Sequence, residues 1–182
     1  LRSLADDDTA FFVVSDHGGT SQQHTVVDIA KVLEGAGFLK YSGRGRNRQI
    51  DWQRTTAANV GLVHIFVNLK GREPGGIVDR KDYDNLCQDI IQALYDYTDP
   101  DTGRRPFALA VTREDAEMVN LWSDRVGDVV YALRPEFDGA HGKQLPSVSF
   151  GMAGQHSTFI AAGAGIRRGG QLEREVRVID VA

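Results

Sequence analysis

An acid and an imidazole stand side by side at the end of an apolar run near the start of the chain. The sequence VVSDHGG covers residues 13–19, so Asp16 and His17 follow a strand-like segment and precede two glycines. A carboxylate oxygen and an imidazole nitrogen together suit zinc or another first-row dication. Two ligands are too few for a tight site, and the pair also fits a helix cap beside a hydrogen-bonded surface histidine. Metal ligation and a structural role are both open at this dipeptide.

The other histidines supply candidates for further ligands. His141 and His156 lie in glycine-flanked segments, where the backbone can approach another group closely. His156 precedes an apolar strand pattern, and it can reach the same edge as Asp16 if that strand runs antiparallel or has a long entry loop. His64 falls inside the apolar segment VHIFVNL and is expected to be structural, while His24 is expected to cap a helix or to face solvent.

Strand and helix patterns alternate along the chain and determine where these side chains lie. The continuous apolar run at residues 11–14 predicts a strand buried on both faces, in the interior of a sheet. Periodicity predicts helices over residues 25–36 and from a cap at Asp79 to Tyr95. The remaining predicted elements are strands at 63–69, 107–111, 129–133 and 158–162, a loop or hairpin carrying Arg44, Arg46 and Arg48, and a turn at 99–103. The alternation predicts an α/β fold with a mainly parallel sheet and helices on both faces.

Composition restricts the class of protein. The chain of 182 residues can bury one sizeable core, and a single domain over residues 1–182 is expected. A net charge of -4 argues against nucleic acid or an anionic membrane as the main partner. The single cysteine, Cys87, excludes an internal disulfide. No apolar run approaches the length of a membrane span, so a soluble protein is expected; its compartment is left open, with the cytoplasm favoured.

Three segments occur in an order that resembles the alkaline phosphatase superfamily. They are FFVVSDHGG at 11–19, FVNLKGREPGGIV at 66–78 and HSTFIAAGAGIRRGG at 156–170. The chain is most similar to the type I phosphodiesterase/nucleotide pyrophosphatase branch. The resemblance implies an alkaline-phosphatase-like fold, of which residues 1–182 form a partial core from the carboxyl-terminal part of a larger phosphohydrolase. The apolar runs near both ends of the chain, which lack neighbours or a cap, agree with that expectation.

The resemblance also implies a two-metal hydrolase of phosphodiester or nucleotide pyrophosphate bonds. It assigns Asp16 and His17 to one metal ion and His156 to the other, with zinc expected and manganese as the alternative. His141 is the alternative to His156, because it also stands in a His-Gly pattern. Ligands of a binuclear centre converge on ions about 4 Å apart, so the three side chains are expected within about 10 Å of one another.

The resemblance leaves the catalytic nucleophile outside this chain. The attacking Ser or Thr is expected upstream of Leu1, and Ser15 is rejected because it belongs to the Asp-His-Gly motif. The expected partners are a phosphate ester or nucleotide and the amino-terminal half of the same protein, with no nucleic acid and no membrane. Lys70 and Arg72 either face a phosphate or are solvated charges on a turn. The competing functions are a phosphomutase or phosphonate hydrolase of the same superfamily, and a non-catalytic metal-binding α/β module.

Overall fold

The computed structural model describes residues 5–15, 25–119, 121, 123–134, 136–137 and 157–174. The chain forms two compact units, the first comprising Leu1–Ser21 and Pro146–Ala182 and the second Gln22–Leu145. The single domain expected over residues 1–182 stays a prediction. Within the described ranges, no helix has the length and apolar character needed to cross a membrane.

The first unit contains a two-stranded antiparallel ribbon. Strand β1 is Ala10–Val14 and strand β8 is Phe159–Gly163, with Ala10 opposite Gly163 and Val14 opposite Phe159. Both faces of the ribbon are apolar and accessible, since Phe12 is 54% exposed and Val13, on the opposite face, 57%. The prediction that residues 11–14 form a strand buried on both faces inside a parallel sheet is therefore wrong for the described residues: the run is exposed on both faces and pairs antiparallel with β8.

Gly163 allows the end of β8 to pack closely against the residue before β1. Gly163 has a φ of 110°, and a Cβ atom there would lie 2.2 Å from the carbonyl oxygen of Thr9. The next residue, Ala164, donates its N–H to that same carbonyl at 3.0 Å. A side chain at position 163 would force the Thr9 carbonyl away, so the glycine determines how the end of β8 meets the start of β1.

The second unit is built on a four-stranded sheet in the order β4-β5-β7-β6, with every neighbouring pair antiparallel. The strands are β4 (Ala57–Val60), β5 (His64–Val67), β6 (Phe107–Thr112) and β7 (Val129–Leu133). β5 and β6 are both antiparallel to β7 and so run in the same direction, but β7 lies between them. The predicted mainly parallel sheet is therefore wrong for the described strands, because the antiparallel strand β7 separates the two strands that run in the same direction.

Two α-helices belong to this unit. Helix α1, Ile29–Gly35, is shorter than predicted because Asp28 caps it by accepting the N–H of Lys31 at 3.2 Å. Helix α2, Tyr83–Asp96, follows a 3₁₀ turn at Arg80–Asp82, and the predicted cap Asp79 makes no capping hydrogen bond. Apolar residues of both helices join one core with the same face of the sheet, so the prediction of helices on both faces is also wrong for the described part.

Helix α2 covers the sheet with its apolar face and also protects one sheet edge. Ile90 and Leu94 are completely buried, and Cys87 beside them is a buried free thiol. The hydroxyl of Tyr95 donates to the carbonyl of Ala110 at 3.1 Å and accepts the N–H of the same residue at 2.8 Å. These two bonds satisfy the outward backbone groups of Ala110 on β6, an edge strand that would otherwise offer them to another chain.

Of the loop or hairpin predicted around the arginines, the structure has the hairpin. Strands β2 (Tyr41–Ser42) and β3 (Gln49–Ile50) pair antiparallel, and Gly45–Asn47 forms a 3₁₀ turn between them. The turn at 99–103 is confirmed as well, because the buried carboxylate of Asp99 accepts both the N–H and the hydroxyl of Thr102.

Candidate functional site

The end of β1 and the start of β8 lie side by side in the ribbon. Ser15, directly after β1, donates its N–H to the carbonyl of Thr158 at 3.0 Å, directly before β8. In the sequence, Asp16 and His17 follow Ser15, and His156 stands two residues before Thr158. These three predicted ligands lie outside the described residues. The antiparallel course of β8, one of the two conditions under which His156 can reach the Asp16 edge, is met.

The remaining histidines divide into one that the structure describes and two that it does not. His24 and His141 lie outside the described residues. His64 is structural, as predicted: its Nδ1 accepts the N–H of Gly127 at 3.3 Å, across the boundary between β5 and β7. Burial lowers the pKa of His64, which favours the neutral ring that can accept this bond.

The part of the chain that the structure describes contains no group of three or more His, Cys, Asp or Glu side chains that could hold a metal ion. The donor set predicted at the strand ends, one carboxylate and two imidazoles, does have the chemistry that zinc prefers.

A charged cluster in the second unit answers the question about Arg72. Asp128 is completely buried, directly before β7. Arg72 donates to it from both ends of its fork, Nη1 to Oδ1 at 2.7 Å and Nη2 to Oδ2 at 2.6 Å. Arg113 Nη2 and the Tyr83 hydroxyl donate to Oδ1 at 2.9 and 2.7 Å, and the N–H of Val67 donates to Oδ2 at 2.7 Å. Arg72 is therefore neither a phosphate ligand nor a solvated charge but the partner of a buried carboxylate.

The electrostatics of this Asp128 cluster follow from burial and hydrogen bonding. Burial acts to raise the pKa of Asp128, but the hydrogen bonds from Arg72, Tyr83 and Val67 outweigh it, and the pKa lies below its ordinary value. The hydrogen bond to Asp128 raises the pKa of Arg72. Burial, assisted by the same carboxylate, raises the pKa of Tyr83 and brings that of Cys87 to about 12. The cluster is thus fixed in one charge state, which suits a structural clamp better than a proton-transfer group.

The clamp organises the Lys70–Gly76 loop, the centre of the second resembling segment. Arg72 reaches from this loop to β7 and also donates to the carbonyl of Val67 at 2.7 Å. Lys70 pairs with Asp79 at 2.8 Å on the surface, so of its two predicted roles the solvated turn charge fits. A Cβ atom at Gly76 would lie 2.2 Å from the carbonyl oxygen of Leu69, which requires glycine there. The motif block therefore has an architectural role in the described structure.

Sequence reasoning missed the Asp128 cluster. Arg72 and Asp128 are 56 positions apart, and no local pattern joins them. One signal existed: Asp128 directly precedes the wholly apolar strand VVYAL. An acid at such a position must either reach solvent or find cationic partners.

Comparison with known families identifies the chain. A sequence model described as type I phosphodiesterase / nucleotide pyrophosphatase matches residues 1–158. The match covers well over half of the 182 residues, and the chain belongs to this family. Membership confirms the resemblance, implies an alkaline-phosphatase-like fold and indicates a hydrolase of the phosphodiesterase/nucleotide pyrophosphatase type. No match to the chain is found among curated proteins or among solved structures.

Proposed function

We propose that this chain is the carboxyl-terminal part of a two-metal phosphohydrolase that cleaves phosphodiester or nucleotide pyrophosphate bonds. Asp16 and His17 bind one divalent ion and His156 binds the other, with zinc as the expected metal. The observation that carries the proposal is the 3.0 Å hydrogen bond from Ser15 to Thr158, two residues that adjoin the two candidate ligand segments in the sequence.

Chain connectivity turns this contact into an argument. Consecutive Cα atoms are about 3.8 Å apart, and residues opposite each other on antiparallel strands are separated by about 5 Å. The Cα atom of Asp16 is one such step from Ser15, and that of His156 is two steps from Thr158. We infer that Asp and His side chains at these positions are long enough to reach a shared pair of ions.

The division of labour in the reaction follows from the donor set. When bound, a pair of divalent ions stabilises the attacking and leaving oxygens of an in-line displacement at phosphorus. The chain's own residues hold these ions: the carboxylate of Asp16 and the neutral imidazoles of His17 and His156. The nucleophile, a Ser or Thr, is supplied by the amino-terminal half of the same protein, and the substrate is a phosphate ester or a nucleotide.

Exposure of the ribbon supports the predicted amino-terminal partner segment. Phe12 on one face and Val13 and Ile160 on the other are all more than half exposed. Isolated two-stranded ribbons are marginally stable in water, and apolar residues on both faces favour burial by further strands or helices. We assign that cover to the same segment that carries the nucleophile.

The test is hydrolysis of an aryl phosphodiester with added zinc or manganese. The 182-residue chain is compared with a form extended upstream, and turnover is expected only in the extended form. His17→Ala in that form should lower kcat by at least about a thousandfold, since it removes a ligand that the reaction requires. His156→Ala should in addition lower the bound metal, measured by atomic emission, by about one ion per chain. The control is His64→Gln, whose histidine is structural and outside the proposed ligand set.

Two results would contradict the proposal. Metal-dependent turnover by the 182-residue chain above an Asp16→Ala control would show that the chain contains its own nucleophile. Full metal content in the extended His156→Ala form, together with a loss of metal in His141→Ala, would move the second ligand to position 141.

A further inference from the structure

The hairpin formed by β2, β3 and the turn between them is a basic surface segment of the second unit. Residues 40–54 contain five basic residues and one acidic residue, in a chain whose net charge is -4. Every residue from 42 to 49 is exposed. Although the chain as a whole has a net negative charge, this hairpin is positively charged. We call it the arginine hairpin (residues 41–50).

The tip of the arginine hairpin has a defined shape. Gly43 has a φ of 75°, and a Cβ atom there would lie 2.2 Å from the carbonyl oxygen of Asn47. Backbone N–H groups of Asn47 and Arg48 donate to the carbonyls of Arg44 and Gly45 at 3.1 and 3.2 Å. These bonds hold the tip in a compact turn. The backbone that carries its side chains is therefore well defined.

One arginine of the hairpin is held against the body of the unit. Arg48 Nη2 donates to both carboxylate oxygens of Glu34, at 2.5 and 2.6 Å. Its guanidinium carbon lies 3.8 Å from the centre of the Tyr41 ring. The hydrogen bond to Glu34 raises the pKa of Arg48. This side chain connects the hairpin to α1 and is already engaged, so it is not a free anion ligand.

Arg44 and Arg46, at the tip of the hairpin, differ from Arg48 in their surroundings. Among the described residues, no carboxylate lies within ion-pair distance of Arg44 or Arg46, and both are exposed. The two stand two positions apart on either side of Gly45, within a single turn. Guanidinium groups present several donors in a planar fork that matches phosphate oxygens, and two forks on one turn suit an anion with several phosphates.

We propose that the arginine hairpin binds an oligophosphate anion through Arg44 and Arg46, with Arg48 as a positioning residue that fixes the hairpin on the body of the unit. The anion can be a free oligophosphate or the phosphate chain of a nucleotide, because both present adjacent phosphates to the two forks. This binding surface consists of residues of the second unit only and needs no metal ion. It does not depend on the proposed hydrolase activity.

The test is calorimetric titration of the 182-residue chain with inorganic tripolyphosphate, in EDTA and low salt. Arg44→Ser/Arg46→Ser should weaken binding at least about tenfold, because both phosphate contacts are removed. The matched control is Arg104→Ser/Arg105→Ser, which removes the same charge from two neighbouring arginines that already pair with Glu136 and Asp96. That control should change the affinity for tripolyphosphate less than about twofold, because arginines already held in surface ion pairs are expected to contribute little to binding of the added anion. Thermal unfolding of all variants verifies that the fold is retained.

Further titrations identify the source of the anion. ATP in EDTA, binding as tightly as tripolyphosphate and with the same dependence on Arg44 and Arg46, supports a nucleotide phosphate chain; a much weaker ATP titration supports a free oligophosphate. Equal losses in the tip variant and the control variant would overturn the proposal, because the effect would then be one of net charge. Absence of tripolyphosphate binding would also overturn the proposal. This holds even if the chain bound a single-stranded oligonucleotide or an anionic vesicle.

Discussion

The ribbon of the first unit and the sheet of the second unit differ in how far their apolar side chains are exposed to solvent. Ile160 on β8 is 55% exposed, whereas Ile90 on α2 is completely buried. The sheet of the second unit has helices packed on one face and a core of its own, while the ribbon that leads to the predicted metal ligands exposes apolar side chains on both faces. The comparison indicates that the scaffold and the candidate site depend on different parts of the protein for their stability.

The largest effect is expected at the Asp128 cluster. Asp128→Ala leaves Arg72 and Arg113 without their buried carboxylate, and we expect a loss of about 3–5 kcal/mol in the free energy of unfolding, measured in urea. The control is Asp79→Ala, which removes only the surface pair with Lys70 and should have a much smaller effect. Equal effects of the two substitutions would show that the cluster is not a structural clamp.

The same cluster predicts a pH dependence. Since the pKa of Asp128 is lowered in the folded state, its carboxylate stabilises the native protein fully above its ordinary pKa of about 4. This contribution is lost as the pH falls through the folded-state value. The unfolding free energy of the unsubstituted chain should therefore decline below about pH 4 more steeply than that of Asp128→Ala.

A pair of identical substitutions compares the two regions directly. Ile90→Ala opens a cavity between α2 and the sheet and should lower the unfolding free energy by about 3 kcal/mol. Ile160→Ala removes the same atoms from an exposed position and should leave the urea midpoint, followed by far-ultraviolet circular dichroism, almost unchanged. A large effect of Ile160→Ala in the 182-residue chain would mean that the ribbon is buried in solution.

The smallest effect is local and concerns the ribbon alone. Gly163→Ala combines a positive φ with a 2.2 Å approach to the Thr9 carbonyl, and the positive φ alone costs about 1–2 kcal/mol. We expect faster amide exchange in β1, measured by mass spectrometry, and no change in the second unit. Gly165→Ala, with a φ of 72° and open space around its Cβ position, carries the backbone strain without the clash. Equal exchange in the two variants would assign the whole effect to backbone strain.

Local patterns in the sequence predicted the elements well. β7 has the predicted bounds, Val129–Leu133, because five successive apolar residues leave no alternative. The start of α1 was misplaced because Val26 was assigned to the apolar face, whereas it is 75% exposed and precedes the capping Asp28. Strand β4, Ala57–Val60, was not predicted, since two alanines and an asparagine carry little strand signal.

Long-range relations were beyond those patterns. Alternation of strand and helix predicted a mainly parallel sheet, but it cannot show that β7 lies antiparallel between β5 and β6. The Asp128 cluster likewise depends on tertiary contacts across 56 positions. The candidate ligands Asp16, His17 and His156 came from motif order and stay predictions, and the antiparallel ribbon is the structural feature that agrees with them.

The buried thiol of Cys87 can report how often the second unit opens. It is the one cysteine in the sequence, it is 2% exposed, and burial raises its pKa to about 12. A thiol reagent can modify it only in molecules whose helix α2 has left the sheet, because the reactive thiolate is both inaccessible and scarce in the folded state. The rate of labelling at a single position thus measures how often the scaffold opens, without any probe having to be introduced.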